Sequence, residues 1–186
     1  MIVAPRHLMM EELTAGLDQI TQAPSDNGVL EMIVRRPAVG EREVIEEGQL
    51  APAEGLVGDN WSRRGAGRPL NVNVQLTLMN ARVAALVAQE RNRWPLAGDQ
   101  LFVDLDLSAA NLPPGSHLTI GSAVIRVSEQ PHTGCAKFVE RFGMAAMEFV
   151  NGTRGKALHL RGINARVIEA GTVRVGDRVR KQSVRT

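Results

Sequence analysis

The sequence predicts a mainly β chain, a barrel or a sandwich with one or two helices packed outside it. Three observations carry that prediction. Segments that alternate apolar and polar residues recur along the chain, most clearly at Leu101, Val103, Leu105 and Leu107, with Asp104 and Asp106 facing the other way. Glycine is abundant, at 18 of 186 residues, and Gly-Asp pairs mark turns at 58–59, 98–99 and 176–177. Helical periodicity is confined to a few short stretches.

Taken in order, Met9, Leu13, Gly16/Leu17 and Ile20 recur at helical intervals, with Glu11 and Glu12 in the first turns. Ala23-Pro24 ends that amphipathic helix. Leu30, Met32 and Val34 alternate with Glu31 and Arg35 in a first strand that Pro37 stops, and 42–47 is a weaker strand around Val44. Residues 49–70 lack periodicity and are rich in Gly, Pro and Arg, which predicts a long loop. Val74, Leu76 and Leu78 restore alternation, and Asn80 caps a helix whose face carries Val83, Ala84, Val87 and Ala88. Pro113-Pro114-Gly115 turns the chain into a strand over 117–127. A helix over 137–151 stops at Asn151-Gly152. Three short strands are expected at 157–160, 163–168 and 173–180.

Composition narrows the functional classes. Hydrophobic residues at 44% and charged residues at 23% are globular values, so wholesale disorder is not expected. Aromatics are only 3%, so the core is built from aliphatic residues and methionine. The net charge is +2, from 19 arginines and three lysines (Lys137, Lys156, Lys181) against 20 acids. Bulk charge therefore gives no reason to expect nucleic-acid binding, and no aromatic platform interleaves with the arginines. The single cysteine excludes an internal disulfide and any cysteine-cluster zinc site. Neither an apolar signal core nor an apolar window of membrane length is present, so a soluble cytoplasmic protein without a membrane partner is expected.

That cysteine is the centre of the functional reading. Ala123, Ile125 and Val127 alternate with Ser122, Arg126 and Ser128 up to Glu129-Gln130-Pro131, where the proline withdraws a backbone donor. The chain then passes through His132-Thr133-Gly134 to Cys135, and Phe138, Phe142, Ala145 and Phe149 follow at helical spacing. A thiol on a strand-to-helix turn gains from unpaired amides at the helix start and from the positive charges of Lys137 and Arg141. The alternative is a small buried hydrophobe, the common fate of free cysteine, against which the Pro, His, Thr, Gly and Lys neighbours speak. His132 is close enough to act as a base for the thiol or to tune its ionisation; the alternative is a turn histidine bonded to backbone.

Asn60–Arg68 (NWSRRGAGR) sets three arginines among two glycines. Arginine forks with exposed loop amides can cradle a phosphate, although a solvated surface loop also accounts for them. Trp61 can stack on a flat ring or cap the barrel end. Asp104 and Asp106 read as the polar side of an amphipathic strand. His7, His117 and His159 share no metal-ligand spacing. The basic stretch of Arg174, Arg178, Arg180, Lys181 and Arg185 reads as a charged strand edge that resists edge-to-edge pairing.

The order of motifs resembles a known family. Gly55-Leu56-Val57-Gly58-Asp59 is followed by Val74-Gln75-Leu76-Thr77-Leu78, Ala97-Gly98-Asp99-Gln100-Leu101 and Leu112-Pro113-Pro114-Gly115 with Leu118-Thr119-Ile120-Gly121. Pro131 to Cys135, Arg161-Gly162-Ile163-Asn164-Ala165, Gly171 and Val175-Gly176-Asp177 complete the set. Together they resemble the MOSC family, named for the C-terminal domain of molybdenum-cofactor sulfurases, over about 32–179. The loop that often reads Gly-Glu-Asn-Leu in that family is here Gly98-Asp99-Gln100-Leu101.

The resemblance implies a closed β-barrel of the MOSC and pyruvate-kinase type over 29–186, with 1–28 as a helix and turn packed on it. It implies molybdenum cofactor as the ligand, with Cys135 ligating the metal or carrying sulfur, in sulfur transfer or molybdenum-dependent reduction. On that reading Arg63, Arg64 and Arg68 hold the anionic part, Asn60, Thr133 and Gly134 contribute to the cofactor site, and Asp59 orders the loop. Lys137 and His132 keep the thiol ionised. A pyridoxal phosphate role would need a Schiff-base lysine, and Lys137 alone lies near the site. The partners implied are a small-molecule cofactor or sulfur donor and, for a non-catalytic carrier, a partner enzyme.

Overall fold

The computed structural model describes residues 6–64 and 67–182, so Arg185 and the 65–66 portion of the arginine-rich loop lie outside the described residues. The chain begins with two short helices, α1 (Met10–Ala15) and α2 (Leu17–Thr21), where the periodicity predicts one. Gly16 separates them and lies so close to Leu86 that an added Cβ would fall 2.6 Å from its Cδ2. The strands β1 (Gly28–Arg35), β2 (Glu43–Ile45), β3 (Glu47–Ala51) and β4 (Gly55–Leu56) follow. Short 3-10 turns at Trp61–Arg63 and Val72–Val74 lead to β5 (Leu76–Asn80) and α3 (Ala81–Ala88). A 3-10 helix, Arg91–Ala97, then delivers the chain to β6 (Leu101–Asp104).

The second half runs β7 (His117–Ile120), β8 (Ala123–Pro131), α4 (Ala136–Phe142), α5 (Met144–Asn151) and α6 (Thr153–Ala157). It ends with β9 (Ile163–Glu169), β10 (Gly171–Arg174) and β11 (Arg178–Lys181).

Seven strands close a ring in the order β1-β6-β5-β9-β8-β7-β11, with β11 returning to β1 through Gly28↔Val179. The fold is thus a barrel and not a sandwich. Every pairing around it is antiparallel except β5–β6, whose parallel register (Leu78↔Leu101) is made possible by the crossover through α3 and the Arg91–Ala97 helix. The far end of β1 also carries β2 (Ile33↔Ile45), and a separate sheet has the order β10-β3-β4.

Two cores explain the residue patterns. Leu30, Leu78, Val103, Ile125, Ala165 and Val179 fill the barrel, joined by Leu50, Leu56 and Val173 from the small sheet. Met32, Val34, Met79 and Phe102 point outward from β1, β5 and β6 and pack with Leu13, Val83, Val87, Phe138, Phe142 and Phe149 of the helices. Burying a large aliphatic or aromatic side chain contributes roughly 1.5–3 kcal/mol, so both faces of these strands are held. Doubly buried strands show no polar alternation, which is why all five β5 residues are apolar or buried.

Several expected elements differ. The loop predicted over 49–70 contains the end of β3, all of β4 and a 3-10 turn. The strand predicted over 157–160 is absent: α6 ends at Ala157 and the next residues form a turn. The 117–127 strand is a hairpin, β7–β8, and 173–180 is split between β10 and β11. The helix over 137–151 breaks at Gly143, whose φ of +91° takes it out of the helical region. No helix among the described residues is long and apolar enough to cross a membrane.

Candidate functional site

β8 leaves the barrel at Pro131, its last paired residue (Pro131↔Ile163), and the next four residues form an irregular segment. Two anchors hold that segment. Gly134 donates its N–H to Asn151 Oδ1 at 2.9 Å, and Asn151 returns a bond to the Gly134 carbonyl at 3.3 Å. His132 Nε2 lies 3.0 Å from Asp99 Oδ1, a carboxylate with no solvent exposure. His132 is therefore bound to a buried acid at the start of β6, not to backbone, and no hydrogen bond joins it to Cys135. Cys135 occupies the N-cap position of the seven-residue α4 in extended conformation, and its side chain is exposed. The buried-hydrophobe alternative is thereby excluded.

Asp99 also accepts from Arg161 Nη1 at 2.7 Å. Burial opposes its ionisation, but the charge of Arg161 and the His132 hydrogen bond override that cost and hold the carboxyl below its ordinary value. Arg161 stacks 5.1 Å over the Phe138 ring, and its Nε is buried without a partner. A second buried acid, Asp59, accepts from Arg36 Nε and Nη2 at 2.8 and 2.9 Å and from the backbone N–H groups of Arg36 and Trp61. Asp59 thereby ties the Asn60–Arg64 turn to the end of β1.

The most organised feature is the C-terminal end of the Arg91–Ala97 helix. The helix end leaves its last carbonyls with acceptor capacity to spare, although Pro95 also accepts the Gly98 N–H at 3.1 Å. Four consecutive ones each accept from a different arginine. Arg42 Nε bonds Pro95 at 2.8 Å, Arg141 Nη1 bonds Leu96 at 2.6 Å, Arg161 Nη2 bonds Ala97 at 2.8 Å and Arg36 Nη1 bonds Gly98 at 2.8 Å. These arginines come from the segment before β2, from α4, from the segment before β9 and from the end of β1.

All four line an open cleft of about 800 Å³, together with Arg64, Arg68 and Lys137. No aspartate or glutamate lines it among the described residues. Arg36 and Arg161 are matched by the buried acids, whereas Arg42 and Arg141 have no carboxylate partner among the described residues. Burial, then repulsion from Arg141, Arg36 and Arg64, pushes Arg42 below the usual guanidinium range. An uncompensated cationic cluster of this kind attracts an anion.

Of the residues expected at the site, Cys135, His132, Thr133, Lys137, Asn60, Arg64 and Arg68 line the cleft. Asp59, Arg63 and Gly134 do not: Asp59 is behind the wall, Arg63 donates to the Pro37 carbonyl, and Gly134 is held by Asn151. Trp61 is buried in the wall. Arg36, Arg42, Arg161 and Asp99 lie outside the expected set, although Asp99 and Arg161 stand in the Gly-Asp-Gln-Leu and Arg-Gly-Ile-Asn motifs, and Arg141, expected as a charge near the thiol, does line the cleft.

A family model described as MOSC domain matches residues 73–180, a span that holds Asp99, His132, Cys135, Arg141 and Arg161 but not Arg36 or Arg42. Among solved structures the chain is similar to the YuaD protein from Bacillus subtilis, with 16% identity over 86% of this chain and 97% of that one and a TM-score of 0.62. It is similar to YiiM from Escherichia coli, with 21% identity over 83% and 70% of the two chains and a TM-score of 0.55. A structure described as a hypothetical protein gives 22% identity over 85% and 70%, with a TM-score of 0.59. At these identities the likeness shows the shared barrel fold. No curated protein matches the chain in sequence.

Proposed function

The chain belongs to the MOSC domain family, and we propose that its cleft binds the molybdenum cofactor with Cys135 as the protein's ligand to the metal. MOSC domains are associated with molybdenum-cofactor binding in general. One observation carries the reading for this chain: an exposed thiol stands in a cleft lined by six arginines and a lysine, with no carboxylate among the described residues.

The residues present suit the group. A soft thiolate is a good donor to such a metal. No three His, Cys, Asp or Glu side chains gather to hold a metal among the described residues, so this site suits a metal that arrives with ligands of its own. Thr77, Gln130 and Asn164 in the lining offer polar contacts to a flat heterocycle. When bound, the cofactor would supply two-electron redox chemistry or a transferable sulfur at molybdenum.

The chain's own residues then have separable roles. Cys135 binds through its sulfur. Asp99 holds His132 and Arg161 in place, and through His132 it fixes the segment that carries the thiol. Lys137 and the arginines raise the local concentration of an anionic ligand. Exposure of Cys135 also favours a second reading, in which the protein carries cofactor or sulfur to a partner enzyme without turnover.

The test is metal analysis of protein made in a cofactor-producing host, alongside Cys135→Ser. Molybdenum that is retained by the wild type and lost from the Ser variant supports the cofactor reading. A persulfide on Cys135 without molybdenum supports the carrier, and neither product at Cys135 refutes both.

A further inference from the structure

The geometry points to a second binding site, on the outer wall of the barrel, where Arg126 of β8 and Arg166 of β9 take a small carboxylate. It goes beyond the cofactor reading and does not depend on it, because none of its residues lines the cleft that holds Cys135.

Strand geometry brings the two arginines together. Ile125, Val127, Ala165 and Val167 fill the barrel, so the residues between them, Arg126 and Arg166, project outward. The two are direct partners across the β8–β9 pairing. Facing positions hold their Cβ atoms about 4.5–5.5 Å apart, and like charges placed there repel. Neither guanidinium has a carboxylate partner among the described residues. The wall therefore carries a repulsive pair that a bound anion relieves.

A pocket lies at this pair. Arg126 and Arg166 border one cavity of about 240 Å³, together with Asn73, Gly115, Ser128 and Glu129. A Cβ built on Gly115, whose φ is +91°, would lie 3.6 Å from Arg126 Nη2 and 3.9 Å from its Nε. The Arg126 guanidinium thus rests beside a bare glycine at the cavity wall. Another wall is stitched down: Ser128 Oγ donates to the Asn73 carbonyl at 2.6 Å, and the Asn73 N–H donates to Asn71 Oδ1 at 3.0 Å. Both bonds engage Asn73 through its backbone, which leaves its side-chain amide for a ligand.

Charge and size select the ligand class. Two arginines against one glutamate leave the lining with a single net positive charge, which matches a monoanion better than a dianion. An arginine fork takes a planar carboxylate through two parallel bonds. Drug-sized ligands occupy roughly 300–1,000 Å³, so this smaller cavity suits a small acid and not a nucleotide. The carboxylate belongs either to a simple acid or to an α-amino acid whose ammonium meets Glu129.

The experiment titrates the isotope-labelled 186-residue chain with propionate, L-alanine and sulfate at neutral pH and low salt, following backbone amides by NMR. Asn73, Gly115 and Ser128 report the wall pocket, and Gly98 and Thr133 report the cleft. Saturable propionate shifts at the wall amides, of roughly millimolar affinity for so small a ligand and unchanged by Cys135→Ser, are expected. Arg126→Gln and Arg166→Gln should each weaken propionate binding roughly threefold to tenfold. Each also removes one of two facing like charges, so its melting temperature should equal or exceed that of wild type.

Tighter binding of alanine than of propionate assigns the site to amino acids; equal or weaker binding assigns it to simple acids. Sulfate that binds the wall more tightly than both carboxylates overturns the ligand class. Shifts confined to the cleft amides, a wild type without saturable shifts, or Gln variants that bind propionate like wild type overturn the site. The cofactor reading stands or falls separately, on molybdenum at Cys135.

Discussion

Asp99 and His132 meet through a 3.0 Å contact that links the start of β6 to the segment between β8 and Cys135. The carboxylate is fully buried, and Arg161 closes the triad from the segment before β9. Three parts of the barrel rim are thereby locked together three residues from the thiol.

Asp99→Asn breaks this triad and leaves Arg161 buried without its counter-charge. A loss of about 3–5 kcal/mol is expected, measured by urea unfolding at neutral pH. The pH dependence has a definite sign. Asp99 titrates lower in the folded chain than the unfolded value of about 3.9, so its contribution is complete above that value. It is lost as pH falls below it toward the folded value. The Asn variant should show a shallower decline over that acid range; an unchanged slope would sink the assignment.

Arg36 and Asp59 form the second buried pair, and the acid also holds the N–H of Trp61. Arg36→Met strands the carboxylate and should cost about 3–5 kcal/mol. The double variant Arg36→Met/Asp59→Leu should lose less than the sum of the single losses, because the two residues are coupled. Additive losses in a double-mutant cycle would contradict the pairing.

Gly162 has a φ of +110°, and a Cβ there would fall 2.2 Å from the Leu78 carbonyl oxygen and 3.3 Å from His132 Cδ2. Gly162→Ala should therefore destabilise by at least the ~1–3 kcal/mol of a strained backbone. A melting temperature equal to wild type would show that the close approach is not required.

Cys135 should react with a thiol-alkylating reagent at one equivalent per chain without denaturant, since it is exposed. Mass spectrometry of the native labelled protein checks this. Labelling that appears only on unfolding would place the sulfur inside and end the functional proposal.

Periodicity made part of the fold readable. In β6, β8 and β9 alternate positions face the barrel interior, so a period of two survives in Leu101/Val103 and in Ala123/Ile125/Val127. The helix caps were equally local: Asn80 accepts from the N–H groups of Arg82 and Val83. β3 and β4 escaped notice because they are short and interrupted by glycine, and the second partner of β3 is β10, far along the chain. At the helix breaks Gly16 and Gly143 lie close against Leu86 and His7, neighbours that no window of sequence contains.

By itself the sequence determined a β-rich chain whose single thiol follows a proline-terminated strand, because strand alternation and proline's missing donor act over a few residues. Tertiary structure alone added Arg36, Arg42 and Arg161 to the thiol's cleft and gave Arg141 its anchor. Arg36, Arg42, Arg141 and Arg161 reach carbonyls 62, 53, 45 and 64 positions away, and only closure of the barrel brings those partners within bonding distance.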